Sequence, residues 1–157
     1  MGQMSARSLL NSPIEVGIRS VALLAALYPR SADISTLVLL DHVLLHTSDF
    51  GGAESIHPPV PGRGSQIGLK RGLIQDGLYL AGARGLVEQV VGTSGISYVA
   101  GDDAHPFLQS FDSEYLNDLQ ERCKWVARVF GDVSEEQLRG VLLEVVGQWR
   151  EEFGDEA

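Results

Sequence analysis

The sequence contains a single cysteine, Cys123, among its 157 residues. One thiol excludes an intramolecular disulfide and a zinc site built on cysteines. Cys123 lies among apolar residues with helical spacing, so we expect it to be a buried, reduced thiol.

Long apolar runs are also missing from the sequence. The run Val21–Tyr28 is far shorter than the ~20 residues that a membrane-spanning helix requires. Glu15 precedes it and no small-residue cleavage site follows, so it makes a poor signal peptide. We therefore expect a cytoplasmic protein without membrane contact.

Positive charge is scarce, since 21 acidic side chains face 12 basic ones and the net charge is −9. Residues 101–157 hold 14 acidic and 5 basic side chains, whereas residues 61–100 hold 2 acidic and 4 basic ones. Phosphate contacts made by Lys and Arg dominate nucleic-acid affinity. The acidic C-terminal third therefore favours a basic protein partner over nucleic acid.

Motifs for nucleophilic catalysis and nucleotide binding are absent from the sequence. We find no Gly-x-Ser-x-Gly and no P-loop, and the Gly-Arg-Gly of residues 62–64 is predicted to be a loop and not a phosphate cradle. The sequence therefore predicts a protein that is not an enzyme and holds no cofactor.

Helix signals divide the chain clearly. Ser12-Pro13-Ile14-Glu15 is a capping box with proline at the first helical position, and Ser134 with Gln137 is a second one. Helical spacing predicts further helices over 35–47, 66–83, 104–111 and 113–130. Two strands, 86–91 and 96–100, flank Gly92–Gly95 and form a predicted hairpin.

This order predicts an α+β, mostly helical fold with a winged helix-turn-helix core and a C-terminal helical extension. We expect a loose lead-in at 1–11, the core at 12–100, the extension packed on it at 101–153, and a frayed tail at 154–157. The loop over 50–65 is longer than a strict helix-turn-helix allows. Long loops of this kind are often functional.

Three of the four histidines lie in or beside this loop. His42 and His46 share a helix face, His57 and Asp49 could complete a metal site, and Glu54 could act as a base. The competing interpretation is that His46 ends the helix through local hydrogen bonds while His42 lies on a solvated or interface face. We favour the second and predict no bound transition metal.

Two further sets of side chains are candidates for partner contacts. Arg63, Lys70 and Arg71 gather where a DNA-reading helix places its phosphate contacts, although the Gly92–Gly95 tip carries no charge. Trp125 and Trp149 are large enough to anchor a partner protein, although packing in the core is the alternative.

Three segments carry a resemblance to a known family, namely 11–19, 39–46 and 51–59. Together they resemble the middle component of bacterial ABC-three-component systems, relatives of the Lamassu-type antiphage systems. The resemblance extends more thinly through the hairpin and the two tryptophan helices, and covers about residues 9–153. Ala53 stands where the family's loop has proline, which should loosen the turn slightly.

The resemblance implies a small winged-helix subunit that works beside an SMC/RecN-type ABC ATPase and a variable effector. It transfers no catalytic residue. We therefore expect a non-enzymatic adaptor that meets DNA only through its complex. The candidate contacts to partner proteins are Asp49, Glu54, Ile56, His57, Trp125 and Trp149. The alternatives are a winged-helix transcriptional regulator and a metal-dependent enzyme that uses His42, His46 and His57.

Overall fold

The computed structural model describes residues 12–55 and 63–153, and the side chains of residues 12–55 and 70–145. Within these ranges the chain forms six α-helices, one 3-10 turn and one antiparallel hairpin. The elements in chain order are α1 Pro13–Leu27, α2 Ile34–Leu45, the 3-10 turn Thr47–Phe50, α3 Arg63–Ala83, β1 Val87–Gly92, β2 Gly95–Ala100, α4 Ala104–Gln109, α5 Glu114–Phe130 and α6 Glu135–Phe153. The fold is therefore α+β and mostly helical, as predicted. The predicted lead-in at 1–11 and the predicted tail at 154–157 lie outside the described residues, so both stay predictions.

Both predicted N-cap serines cap their helices, and at Ser134 both bonds of the capping box form. The Ser12 hydroxyl accepts a hydrogen bond from the Glu15 amide at 3.2 Å. At α6 the Gln137 amide donates to the Ser134 hydroxyl at 3.1 Å, and the Ser134 amide donates to the Gln137 side chain at 3.3 Å. Each bond satisfies a backbone N–H that the helix itself leaves without a partner.

The hairpin is also confirmed, with each strand about one residue from its predicted bounds. Val91 pairs with Ile96 and Gly92 pairs with Gly95, whose φ of +123° suits glycine. On the other side of β2, Ala32 forms an antiparallel bridge with Tyr98. The link between α1 and α2 thus contacts the hairpin, which the sequence did not predict.

Helices α1 and α3 pack against each other at a pair of glycines. A Cβ atom on Gly77 would lie 2.8 Å from the backbone nitrogen of Gly17. Gly72 and Gly82 of the same helix make no such approach. Nothing lies within 4 Å of a Cβ on Gly72, and only Val87, at 3.9 Å, lies near a Cβ on Gly82.

The C-terminal helices pack on the first two. Helix α5 contacts α1 and α2 and buries Cys123, as predicted, and burial raises the pKa of its thiol. The main contacts of helix α6 in the described chain are with α2. Leu138 and Leu142 of α6 are buried, while Val141 is 36% exposed. The division of the chain at residue 100 stays a prediction.

None of the helices in the described ranges combines the length and the apolar character that a membrane span requires.

Candidate functional site

Charged and polar side chains are buried where the first three helices meet. Arg19 of α1, Asp41 of α2 and Lys70 of α3 are exposed by 0%, 1% and 4%. The Arg19 guanidinium grips both carboxylate oxygens of Asp41, with Nε to Oδ1 at 2.8 Å and Nη2 to Oδ2 at 3.2 Å. The Lys70 ammonium lies 3.0 Å from Oδ2 of the same carboxylate. One carboxylate therefore holds two cations, and the triad ties three helices together.

The electrostatics of the triad follow from this geometry. Burial opposes the charge on Asp41, but Arg19 and Lys70 outweigh it and hold the pKa of Asp41 well below its ordinary value. Burial also opposes the charge on Arg19, and Asp41 more than offsets that effect, so the pKa of Arg19 is raised. Burial lowers the pKa of Lys70, because Asp41 restores only part of its ionisation and Arg19 repels it. Of the three charges, that of Lys70 is the least offset by its neighbours.

The network continues into the C-terminal helices through Tyr115 of α5. The side chain of Tyr115 is hydrogen-bonded to that of Glu15, and burial together with this carboxylate raises the pKa of the phenol. The charges of Glu15 and Arg19 in turn interact. Four helices, α1, α2, α3 and α5, thus contribute to one polar centre. Helix α5 is held to it by the polar contact of Tyr115 as well as by apolar packing.

A chain of aromatic rings runs from His42, the residue after Asp41, to Trp125, which is half-buried. The ring centroids of His42 and His46 are 4.8 Å apart. Phe50 meets His42 edge-on, with 6.2 Å between their ring centroids. Phe130 of α5 then contacts both Phe50 and Trp125, with its ring centroid 6.3 Å and 5.8 Å from theirs. The two histidines, 1% and 3% exposed, are packed within this chain.

This position corrects the expectation that His42 lies on a solvated face. No three His, Cys, Asp or Glu side chains in the described ranges are grouped so as to hold a metal ion. His57, the third histidine of the proposed set, lies outside those ranges. That the protein binds no transition metal stays a prediction.

The residues after α2 form a clasp, which we define as residues 46–55. The Thr47 hydroxyl donates to the Ala53 carbonyl at 2.8 Å, and the Ser48 and Ser55 hydroxyls are 2.7 Å apart. These bonds close the segment into a compact turn.

Helix α5 holds the clasp in place. A Cβ on Gly52 would lie 2.8 Å from the Trp125 ring, so the ring packs directly on the glycine backbone. Nη2 of Arg122 donates to the backbone carbonyl of Glu54 at 3.0 Å. The clasp and the face of α5 that carries Trp125 are therefore one continuous surface.

Comparison with known families identifies the group to which this chain belongs. The family model for the ABC-three component (ABC-3C) system Middle Component 2 matches residues 9–152. The chain belongs to this family. Searches of curated proteins and of solved structures found no match to this chain.

The structure places three of the six predicted partner contacts of the middle component at the clasp. Asp49 is half-buried, the Glu54 side chain is exposed, and Trp125 is half-buried against Gly52. Ile56 and His57 lie outside the described ranges. Trp149 belongs to α6, and its side chain is not among those described. All six residues stay candidates for contacts with partner proteins.

The predicted nucleic-acid contacts separate in the structure. Lys70 is buried in the triad, so its ammonium is not available to a phosphate, which corrects its inclusion in that set. Arg71 is exposed, and its guanidinium donates to the Ser35 hydroxyl at 2.8 Å. Arg63 is the first residue of α3, and its side chain is not described.

Four residues of the middle component escaped the sequence interpretation, namely Arg19, Asp41, Tyr115 and Arg122. A signal for Arg19 existed, because it is the only charged residue between Val16 and Tyr28, and Asp41 is likewise alone among leucines and valines. Single opposite charges on two apolar helices predict a buried pair. Nothing in the sequence pattern sets Tyr115 or Arg122 apart from other polar residues of α5.

Replacing Gly52 with alanine should loosen the clasp. The new methyl group would collide with the Trp125 ring, and the ring must shift because the backbone of Gly52 is bonded to Thr47. We expect a loss of about 1 kcal/mol in unfolding free energy. Trp125 emission, recorded in a Trp149→Phe background, should shift to the red.

Gly140→Ala in the same background is the matched control, since a Cβ there has open space. It should leave the emission unchanged. Unaltered emission in Gly52→Ala would mean that the ring does not hold the clasp.

Proposed function

We propose that this middle component is a non-enzymatic adaptor in an antiphage defence system related to the Lamassu type. It would join an SMC/RecN-type ABC ATPase to a variable effector. The family assignment supports partnership within a multi-component system. The defence role, the identity of both partners and the bridging position are parts of the proposal.

The clasp is the observation that carries the proposal. Its backbone is fixed by Trp125 and Arg122, while the Glu54 carboxylate stays exposed. A polar contact on a rigid backbone loses little entropy when a partner docks, so it binds more tightly than the same group on a free loop. This surface favours recognition of a protein.

The polar centre supports the non-enzymatic part. Arg19, Asp41 and Lys70 have the residue types of a catalytic site, but they are buried and bonded to one another. A reacting group must be reached by its substrate. The arrangement therefore favours a structural role for these three charges.

We also propose that residues 12–100 are a variant of the winged helix. The order of three helices and a hairpin supports this, and so does the single-residue bridge from Ala32 to Tyr98, which joins the link between α1 and α2 to the hairpin. This order favours a second candidate function, DNA-binding regulation. Burial of Lys70 weakens that candidate, because it leaves fewer cations for phosphates.

The adaptor is tested with the double variant Glu54→Ala/His57→Ala, co-expressed with the other components of its own system. The changes remove side chains and leave the backbone bonds of the clasp intact, so the unfolding free energy should move by only about 0.5 kcal/mol. Loss of a charged interface contact costs ~2–5 kcal/mol of binding. The variant should fold normally and fail to co-purify with the ATPase or the effector.

Glu136→Ala/His105→Ala is the matched control, because it removes the same two residue types from exposed positions on α6 and α4. It should assemble like the parent. Equal assembly of both double variants would place the interface elsewhere. Submicromolar, sequence-specific binding of duplex DNA by the chain alone, at physiological salt, would favour the regulator.

A further inference from the structure

One edge of the hairpin pairs with no other strand of the described residues. Strand β2 is flanked by β1 on one side and by Ala32 on the other, whereas β1 pairs only with β2 in the described chain. The outer edge of β1 therefore presents backbone N–H and C=O groups that a further strand could pair with. Proteins usually block such edges with charges, proline or a bulge. Strand β1 has a regular register, no proline and a single charge, Glu88.

One face of this hairpin forms a groove with α3. Because side chains alternate along a strand, Val87, Gln89 and Val91 share the face that carries Tyr98 and Ile96. The groove has a volume of about 620 Å³. Its lining includes Leu78, Tyr79 and Gly82 of α3, Val87 and Gln89 of β1, and Tyr98 of β2.

Apolar side chains are unusually exposed along this face. Tyr79 in the groove is 79% exposed, and the next pair toward the tip, Val91 and Ile96, is 77% and 50% exposed. Val90, on the opposite face of β1, is 42% exposed. Clustered exposure of this kind marks an interaction surface.

The charges around the groove argue against nucleic acid as its occupant. Asp76 and Glu88, which adjoin groove residues in the sequence, are exposed carboxylates. Of the nearby cations, Lys70 is buried, Arg71 donates to Ser35, and Arg84 lines a different groove with α1. A phosphate backbone would meet carboxylates here, whereas a protein segment with a basic residue would be attracted.

We propose that β1 receives an extended segment of a partner protein as a third strand of the hairpin. The segment carries apolar residues at alternate positions, which lie over the groove beside Gln89 and Val91. It carries a lysine or arginine on the other face, opposite Glu88. Backbone pairing supplies affinity and the alternate side chains supply specificity. This inference rests on the proposed adaptor function and names a second contact surface for it.

The test uses the full-length chain assembled with the other components of its system, and the variant Val91→Lys. A lysine on an edge strand opposes strand addition. Val91 is mostly exposed, so folding should be unaffected, which a melting curve checks. We expect assembly to weaken by about tenfold or more. Leu143→Lys on α6 is the matched control, since Leu143 is 66% exposed and the charge change is the same.

Hydrogen exchange on the unaltered protein gives a second readout that does not depend on any variant. Amides of β1 should exchange more slowly in the assembled complex than in the free chain. If the unaltered chain forms no complex, the adaptor function fails and this inference fails with it. If the complex forms but β1 exchanges as in the free chain and Val91→Lys assembles normally, the adaptor stands and strand addition is overturned.

Two other occupants are separate outcomes that would also overturn the proposal. Slowed exchange of β1 on addition of a random-sequence DNA duplex would assign the edge to nucleic acid. Concentration-dependent dimerisation of the free chain that Val91→Lys abolishes, measured by light scattering, would assign it to a second copy.

Discussion

Asp41→Asn should destabilise the protein by about 3–5 kcal/mol, because it leaves two buried cations without their shared carboxylate. Arg19 and Lys70 are almost completely buried, so water cannot take the place of Asp41. A loss of this size is a large part of the 5–15 kcal/mol that stabilises a typical domain. Urea denaturation followed by circular dichroism measures it, and the melting temperature should fall by about 10 °C.

Lys70→Met is the matched control for this prediction. It removes the least compensated charge and leaves Arg19 and Asp41 as a neutral, doubly hydrogen-bonded pair. Replacing a buried ion with an apolar side chain of similar volume is often neutral or stabilising. We expect a change of less than about 1 kcal/mol, and partial rescue of Asp41→Asn in the double variant. A cost below about 1 kcal/mol for Asp41→Asn itself would show that another anion balances the cations.

Acid titration gives an independent measure of the same carboxylate. The pKa of Asp41 is lower in the folded chain than in the unfolded one, so the unfolded state takes up its proton first as the pH falls. Its contribution is therefore present above the unfolded pKa of about 3.9 and is lost as the pH falls toward the folded value. The unfolding free energy of Asp41→Asn should depend less steeply on pH below about 5 than that of the parent.

Gly77→Ala should cost about 2–3 kcal/mol, since the added methyl group meets backbone atoms that cannot rotate away. It would lie 2.8 Å from the nitrogen and 2.9 Å from the Cα of Gly17. Helices α1 and α3 would have to separate, which would also lengthen the bonds of the triad that joins them. Chemical denaturation measures the loss.

Alanine substitutions at two other glycines provide comparisons for this prediction. Gly72→Ala lies in the same helix in open space, so it should stabilise the protein by about 0.5–1 kcal/mol through helix propensity. Gly17→Ala places its methyl group 3.1 Å from the Gly77 carbonyl oxygen and should be milder than Gly77→Ala. If Gly77→Ala and Gly72→Ala have equal effects, the two helices do not depend on the close approach.

The predicted strand addition at β1 and the clasp would give this middle component two protein-binding surfaces. The clasp is fixed by Trp125 and Arg122 of α5, whereas the edge of β1 belongs to the hairpin. An adaptor needs at least two such surfaces. Val91→Lys and Glu54→Ala/His57→Ala should therefore affect assembly without affecting each other's contact.

Much of the local structure was predictable from the sequence. Ser12 and Ser134 cap their helices through bonds to residues three positions away, and the hairpin closes at the paired glycines Gly92 and Gly95. Such features depend on neighbouring residues alone, so a short stretch of sequence determines them. The family could be inferred in the same way, because it follows from the order of residues along the chain.

The roles of the buried residues were decided only by tertiary structure. Lys70 has the sequence context of a phosphate contact, yet it pairs with a carboxylate 29 positions earlier. His42 and His46 have the spacing of metal ligands, yet they pack against each other, and His42 meets Phe50 in a chain of rings that reaches α5. Gly72 and Gly77 are alike in sequence, and only Gly77 meets another helix.

The physical reason is the same in each case. The free energy of a buried charge, ring or glycine depends on what lies across the helix interface, and that neighbour comes from a distant part of the chain. The sequence by itself determined the order and type of the helices and the hairpin, with bounds that differ from the observed ones by up to three residues, and the family to which the chain belongs. Tertiary packing decided which polar side chains are buried in the contacts between helices and which remain exposed.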